Sequence, residues 1–214
     1  MGNRSVDGCS GPAPRARAAT AGIAAYLPAV AGLLMEKEIT TLGRIMSDPP
    51  RPLAAILGGS KISTKIGVVK SLLERVDRLC IGGAMACTFL KARGLEMGRS
   101  LVEDDQLEVA RSLMSGGPDA RGSIVLPLDA VVAAEAKEGV ETRTVPINQV
   151  PNNLRVLDVG QITVERFLRT CVCAASSVWT GPPGAYPLPP FPPGTDAPPP
   201  RRAGSRPPPR HASR

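Results

Sequence analysis

Short apolar runs alternate with segments of helical spacing over the middle of the chain, from residue 53 to residue 181. The short runs have the length and composition of buried strands, whereas apolar residues at every third or fourth position are typical of helices. This order predicts an α/β fold with a mostly parallel sheet and right-handed crossovers. The predicted strands cover residues 53–57, 78–81, 124–126, 130–133, 156–159 and 177–179. The predicted helices cover residues 66–76, 104–114 and 163–174, with a further helix through Met85 that stops at Gly94, and residues 145–151 are predicted to be a connection.

A longer helix is predicted ahead of this region, over residues 27–46. Pro28 suits the first turn of a helix, and apolar residues follow at roughly helical spacing as far as Met46. Pro49 and Pro50 cannot continue a helix, so we expect it to end near Ser47. A long helix that ends at a proline break is typical of a connector between domains. Residues 1–20 show no periodicity and are predicted to be irregular.

The end of the chain, residues 185–214, is rich in proline, arginine, glycine and alanine. Of the 23 prolines in the chain, 13 lie between Pro182 and Pro209. Such a segment cannot bury enough apolar surface to offset its chain entropy, so it is predicted to be disordered. Residues 187–193 favour a polyproline II conformation. Two interpretations stay open, namely a tail without a partner and a ligand for an SH3-type or WW-type domain.

The formal net charge of +7 lies mainly at the two ends of the chain. Five arginines and one acid lie between Pro182 and Arg214, and three arginines and one acid lie between Met1 and Arg17. No aromatic residue lies among the arginines of either end to stack on bases. We therefore expect no nucleic-acid partner, despite the basic sequence.

The cysteines do not form a metal-binding or catalytic pattern. There are five of them, Cys9, Cys80, Cys87, Cys171 and Cys173, and none forms a C-x-x-C pair. The single histidine, His211, lies in the tail, so neither zinc binding nor cysteine–histidine catalysis is supported. Cys80 falls in a predicted strand and is expected to be a small buried residue in a reducing, cytoplasmic protein.

A signal peptide is the alternative to a cytoplasmic location. Residues 21–35 carry no charge and follow several arginines. However, Pro28 interrupts the stretch, no A-x-A cleavage site closes it, and it is too short to span a bilayer. We therefore expect neither secretion nor a membrane partner.

The best candidate for chemistry is the stretch Gly58, Gly59, Ser60, Lys61 followed by Lys65. It lies between a predicted strand and a predicted helix, where glycines let the backbone approach an anion and helix amides point at it. The two lysines add positive charge. The stretch matches neither a Walker A loop nor G-x-G-x-x-G, and an ordinary turn with solvated lysines is the alternative. Further glycine turns, Gly82-Gly83 and Gly181, follow two other predicted strands, and ligands of open α/β sheets bind at such strand ends.

With these motifs in view, the chain from about Val6 to Tyr186 resembles phosphoglycerate kinase. Several blocks carry the resemblance in one order along the chain. They are residues 18–23 (AATAGI), 32–38 (GLLMEKE), 55–61 (AILGGSK), 81–85 (IGGAM), 100–103 (SLVE) and 179–182 (WTGP). Several such blocks in one order are more specific than any single loop.

The resemblance implies a Rossmann-like parallel sheet with flanking helices, as in the nucleotide domain of this family. Residues 1–26 would be a largely irregular remnant of the substrate domain, 27–48 the interdomain helix, 51–184 the nucleotide-binding domain and 185–214 a disordered tail. The implied activity is phosphoryl transfer between 1,3-bisphosphoglycerate with ADP and 3-phosphoglycerate with ATP, in glycolysis. ATP or ADP with Mg²⁺ would be the cofactor, 3-phosphoglycerate the other ligand, and a monomer the expected state.

The resemblance also assigns residues to binding roles. Lys61 and Lys65 match the family's lysines for the nucleotide phosphates, and Gly58, Gly59 and Ser60 match its glycine turn. Three glycines match the backbone that lines the family's adenosine pocket, namely Gly82, Gly83 and Gly160. Arg15, near the start of the chain, matches an arginine that binds the substrate phosphate.

Departures from the family pattern bear on activity. The family is about twice this length, and its phenylalanine–glutamate pair for the ribose is replaced by Ala185 and Tyr186. No metal-holding carboxylate is found, because Asp104 and Asp105 are better explained as solvated residues of a first helical turn. We therefore name no catalytic and no metal-binding residue, and expect weak nucleotide binding without catalysis. A non-catalytic binding or interaction fragment and a truncated or frame-shifted gene product are the alternatives.

Overall fold

The computed structural model describes residues 5–7, 22, 25–26, 29–116 and 120–181. The chain divides into two compact units, Met1–Pro50 and Arg51–Arg214. Arg15 and the predicted disordered tail, residues 185–214, lie outside the described residues. Among the described residues, no helix is both long enough and apolar enough to cross a membrane.

In the first unit, two short parallel strands precede one long helix. Strand β1 (Ser5–Asp7) pairs with strand β2 (Ala29–Ala31), and helix α1 (Leu33–Ser47) follows. The helix ends where the proline break was predicted. Its predicted start at residue 27 is wrong, because Ala29–Ala31 is held in an extended conformation by pairing with Ser5–Asp7. No local pattern in Ala29–Ala31 reveals a partner that lies more than twenty residues earlier.

The second unit is built around a four-stranded parallel sheet. The strands of this sheet are β3 (Leu53–Leu57), β4 (Arg78–Ile81), β5 (Ser123–Val125) and β9 (Ser176–Thr180), and they lie in the order β5-β4-β3-β9. The predicted α/β class is therefore confirmed. The helices of this unit are α2 (Ile66–Arg75), α3 (Ala84–Ala92), α4 (Leu107–Ser115) and α5 (Gln161–Cys173).

The centre of this sheet is buried on both faces. All five residues of β3 are buried, which is why this strand is a continuous apolar run. Alternate residues of a strand point to opposite faces, so Ala54 and Ile56 share one face. They pack there with Cys80 and with Phe167 and Cys171 of α5. The prediction that Cys80 is a small buried residue is confirmed, and burial, followed by the neighbouring Cys171, raises its pKa to about 12.

A second, three-stranded sheet was not predicted as a separate layer. Strand β6 (Asp129–Ala133) lies between β7 (Arg143–Pro146) and β8 (Arg155–Val159), and both pairs are antiparallel. The predicted connection over residues 145–151 is therefore wrong at its start. It is the end of β7 followed by a 3-10 turn, Ile147–Gln149. The apolar runs gave the position of β6 and β8 but not their direction, since direction depends on the path of the chain between them.

The predicted helix over residues 104–114 is confirmed with one difference. Its first residues, Asp104–Gln106, form a 3-10 turn, and α4 begins at Leu107. Asp104 and Asp105 are exposed, as predicted for residues of a first turn. Lys91 Nζ lies 2.7 Å from Asp104 Oδ1.

Candidate functional site at the strand ends

The glycine turns that follow β3, β4 and β9 come together at one edge of the parallel sheet. The Gly58 N–H donates to the Thr180 carbonyl oxygen at 2.9 Å, which joins the end of β3 to the end of β9. The Gly82 N–H donates to the Leu57 carbonyl oxygen at 3.0 Å, which joins the end of β4 to β3. The sequence thus correctly predicted that three separate turns meet at the carboxyl edge of the sheet.

The second turn packs directly on the first. Gly83 has φ 71° and ψ −173°, and it caps the start of helix α3. A Cβ atom at this position would lie 2.5 Å from the Gly59 carbonyl oxygen, so only glycine fits without a shift of the backbone. The same carbonyl oxygen accepts a hydrogen bond from the Met85 N–H at 2.9 Å. Helix α3 therefore holds the first glycine turn in place.

The two lysines of the predicted phosphate site differ in their surroundings. Lys65 is half-buried, precedes the first residue of α2, and donates from Nζ to the Gly58 carbonyl oxygen at 2.8 Å. Its side chain thus returns over the glycine turn to the end of β3. Lys61 is exposed, as is Ser60. One ammonium group is therefore fixed at the strand end, and the other lies at the solvent-exposed side of the same loop.

Glu103 is a residue of this region that the sequence reasoning did not assign to the site. Its Oε2 atom accepts from the Ile62 N–H at 2.5 Å and from the Ser63 N–H at 3.1 Å, and its Oε1 accepts from the Ser63 hydroxyl at 2.5 Å. Burial raises the pKa of Glu103, but the hydrogen bonds from Ser63 and Ile62 outweigh burial and hold it below its ordinary value. The carboxylate is therefore ionised at neutral pH.

This contact removes two amides of the lysine loop from anion binding. The Ile62 and Ser63 N–H groups precede helix α2, which begins at Ile66, and both donate to Glu103. A phosphate group would meet the lysines and the glycine turn rather than these two amides. The sequence shows Glu103 as the acid of the SLVE block, but no local pattern indicates that residue 103 contacts residue 62.

Gly160 lies at the end of β8, in the antiparallel sheet, where it caps helix α5. A Cβ atom on Gly160 would lie 2.2 Å from Asp129 Oδ2, so this glycine makes room for a buried carboxylate. Asp129 in turn accepts from the Ile162 N–H at 3.1 Å and the Thr163 N–H at 2.8 Å. Gly160 therefore has a structural role at the start of α5, apart from any contact with a ligand.

A small apolar cavity lies between helix α3 and the antiparallel sheet, near the predicted adenosine pocket. The residues that line it include Gly83 and Cys87 at helix α3 and Asp158 and Val159 at strand β8. Its volume is about 10 Å³, which is room for roughly one water molecule. A nucleoside at this edge would therefore bind outside the cavity, against the ends of the strands.

The described residues do not fit a metal ion held by the protein. Across residues 29–116 and 120–181, no three side chains of histidine, cysteine, aspartate or glutamate converge as metal ligands would. Glu103 and Asp129 are each satisfied by N–H and O–H donors of the protein.

Comparison with known proteins identifies the family of this chain. The family model for phosphoglycerate kinase matches residues 6–198, which extends past the resemblance noted up to Tyr186. A phosphoglycerate kinase of Thermus thermophilus is 50% identical over 196 residues, which are 91% of this chain and 50% of that protein. That of Pelotomaculum thermopropionicum is 46% identical over 192 residues, which are 90% of this chain and 49% of that protein.

Solved structures give the same result. The phosphoglycerate kinase of Coxiella burnetii matches with a TM-score of 0.76 at 38% identity, covering 90% of this chain and 50% of that one. The enzyme of Pyrococcus horikoshii matches with a TM-score of 0.74 at 26% identity, covering 90% and 49%. The chain thus spans about half the length of the curated relatives it matches. With the family model matched over most of the chain, this chain belongs to the phosphoglycerate kinase family.

Proposed function

We propose that residues 51–184 are the nucleotide-binding part of a phosphoglycerate kinase and hold the phosphate groups of ADP or ATP at the glycine turns. The observation that carries this proposal is the position of Lys65. Its ammonium group lies 2.8 Å from the Gly58 carbonyl oxygen, at the carboxyl end of the central strand. In an open α/β sheet this is where nucleotides bind, and a fixed cation there favours a phosphate.

The roles of the other site residues are proposed from the family to which the chain belongs. Lys61 supplies a second, exposed charge on the loop, and Gly58, Gly59 and Ser60 form the turn against which a phosphate rests. Gly82, Gly83 and Gly160 are proposed to approach the adenosine. Arg15, outside the described residues, is proposed to bind the phosphate of 3-phosphoglycerate, and residues 27–48 to connect the two domains.

For the whole protein, the proposed reaction is transfer of a phosphoryl group between 1,3-bisphosphoglycerate with ADP and 3-phosphoglycerate with ATP, as a step of glycolysis in the cytoplasm. Such transfer depends on positioning and on neutralising the charge of the phosphate in line with its acceptor. The described residues offer a lysine pair but no cluster that holds a metal. For this chain as a monomer we therefore propose weak binding of ADP with Mg²⁺ and no turnover.

Titration calorimetry with ADP in the presence of Mg²⁺ tests the binding proposal. We expect Lys65→Ala and Lys61→Ala each to weaken binding by about tenfold, because each removes a charged hydrogen-bond donor to phosphate. Lys70→Ala is the control, since Lys70 is an exposed lysine within helix α2, outside the lysine loop, and its loss should change affinity less than about twofold. Equal affinity in all three variants would contradict the assigned site. Turnover in a coupled kinase assay would contradict the absence of catalysis.

A further inference from the structure

Glu103 connects three segments that surround the proposed phosphate site. Its carboxylate binds the two residues midway between Lys61 and Lys65, namely Ile62 and Ser63. Its own N–H donates to Thr88 Oγ1 at 3.2 Å. Thr88 is 1% exposed and belongs to α3, so Glu103 is attached to a helix that is itself part of the core.

The loop from Gly58 to Lys65 is consequently held at two points by the same helix. At its start, the Met85 N–H of α3 donates to the Gly59 carbonyl oxygen at 2.9 Å. In its middle, Glu103 holds Ile62 and Ser63 and is fixed to Thr88. Ile62 is fully buried, so its position cannot adjust without opening the core. Lys61 and Lys65 lie on either side of the second of these points in the sequence.

Charge gives Glu103 a second effect on the same loop. A carboxylate bound to the Ile62 and Ser63 amides neutralises them and repels any anion that approaches them. The Lys65 ammonium, by contrast, lies at the glycine turn, away from this carboxylate's hydrogen bonds. A phosphate is therefore directed toward the turn and the strand end rather than toward the residues that Glu103 occupies.

We propose that Glu103 is a positioning residue of the nucleotide site, which fixes Ile62 and Ser63 so that Lys61 and Lys65 meet the phosphate groups of ADP. This role rests on the proposed function of the site. Glu103 itself does not touch the nucleotide. Its loss should weaken the binding of phosphates and leave the binding of the nucleoside unchanged, since the adenosine is approached by other strand ends.

The experiment compares Glu103→Ala with Glu108→Ala in the full chain. Glu108 is the control because its exposed carboxylate, on α4, is paired with Arg111 and does not contact the loop. Binding of ADP with Mg²⁺ and binding of adenosine are measured separately, with hydrogen exchange at the Ile62 and Ser63 amides. We expect Glu103→Ala to weaken ADP by about tenfold, to leave adenosine within about twofold, and to speed exchange at these two amides. Glu108→Ala should change none of the three.

Each other outcome has a distinct meaning. Unchanged ADP affinity in Glu103→Ala overturns the positioning role, as does an equal loss for ADP and adenosine, which would indicate general damage to the fold. Failure of the unaltered chain to bind ADP with Mg²⁺ overturns the proposed function and this role with it. If Glu103→Ala does not fold, Ser63→Ala replaces it, because this variant removes one donor to Glu103 and keeps the carboxylate. It should weaken ADP binding about threefold, and unchanged ADP affinity there overturns the role.

Discussion

The Gly59 carbonyl oxygen lies 2.5 Å from the position that a Cβ atom on Gly83 would occupy. This contact joins the turn after β3 to the turn after β4, and it brings the start of helix α3 against the lysine loop. The glycine at position 83 is thus required by two conditions at once, a positive φ of 71° and the absence of a side chain. The geometry of the proposed phosphate site depends on both.

Gly83→Ala should therefore destabilise the chain more than positive φ alone explains. A side chain at positive φ costs about 1–2 kcal/mol, and the clash with Gly59 should bring the loss in the free energy of unfolding above about 3 kcal/mol. Gly139→Ala is the control, because Gly139 has φ 74° and nothing within 4 Å of the Cβ position. Urea unfolding measures both variants. A loss at Gly83 no larger than that at Gly139 would show that the two turns do not pack as described.

Asp129→Asn should destabilise the start of helix α5. Asp129 is 3% exposed, and its carboxylate accepts from two backbone N–H groups and lies 2.5 Å from Thr163 Oγ1. An amide in its place turns one acceptor into a donor that faces other donors, so we expect a loss of about 2–3 kcal/mol in the free energy of unfolding.

Asp105→Asn is the matched control for this variant, because Asp105 is exposed and contacts Gln106. Its free energy of unfolding should change by less than about 0.5 kcal/mol. Urea unfolding again gives the measurement. Similar values for the two variants would contradict the capping role of Asp129 and, with it, the reason given for a glycine at position 160.

Stability should fall in acid because of Asp77, which precedes β4 and lies at the opposite end of the sheet from the glycine turns. The Leu53 N–H donates to its Oδ2 atom at 2.7 Å, Arg51 Nη1 lies 3.0 Å from the same atom, and Arg121 Nε lies 3.4 Å from Oδ1. The hydrogen bond from Leu53 lowers the pKa of Asp77, burial opposes it, and Arg51 and Arg121 lower it further. Asp77 is thus ionised more readily in the folded chain than in the unfolded chain.

The direction of this pH dependence follows from the linkage between proton binding and folding. A carboxyl group with a lowered pKa in the folded state stabilises the fold at pH values above its unfolded pKa of about 4, and this contribution is lost as the pH falls through the folded pKa. Asp77→Asn should therefore destabilise the chain at pH 7 by about 1 kcal/mol and have a smaller effect below about pH 3. Thermal melts at the two pH values measure it, with Glu74→Gln as an exposed control on α2. An effect of Asp77→Asn that is independent of pH would contradict this assignment.

The sequence by itself determined the central strand, the glycine turns and the lysines. Leu53–Leu57 is a run of buried residues, and the glycines after it mark a turn wherever the strand is placed. Parallel order then requires that Gly58, Gly82 and Gly181 meet at one edge of the sheet. These features depend on local composition and on a general rule of topology, which is why they could be predicted.

Only the tertiary structure decided which distant groups meet at the site. Glu103 reaches Ser63 across 40 residues, and Asp129 reaches Thr163 across 34. The antiparallel direction of β6 against β8 and the extended segment Ala29–Ala31 likewise depend on partners far along the chain. Periodicity records which face of an element is buried, whereas a hydrogen bond between side chain and loop depends on how the elements pack. The lysines of the proposed phosphate site were therefore visible in the sequence, and the carboxylate that positions their loop was not.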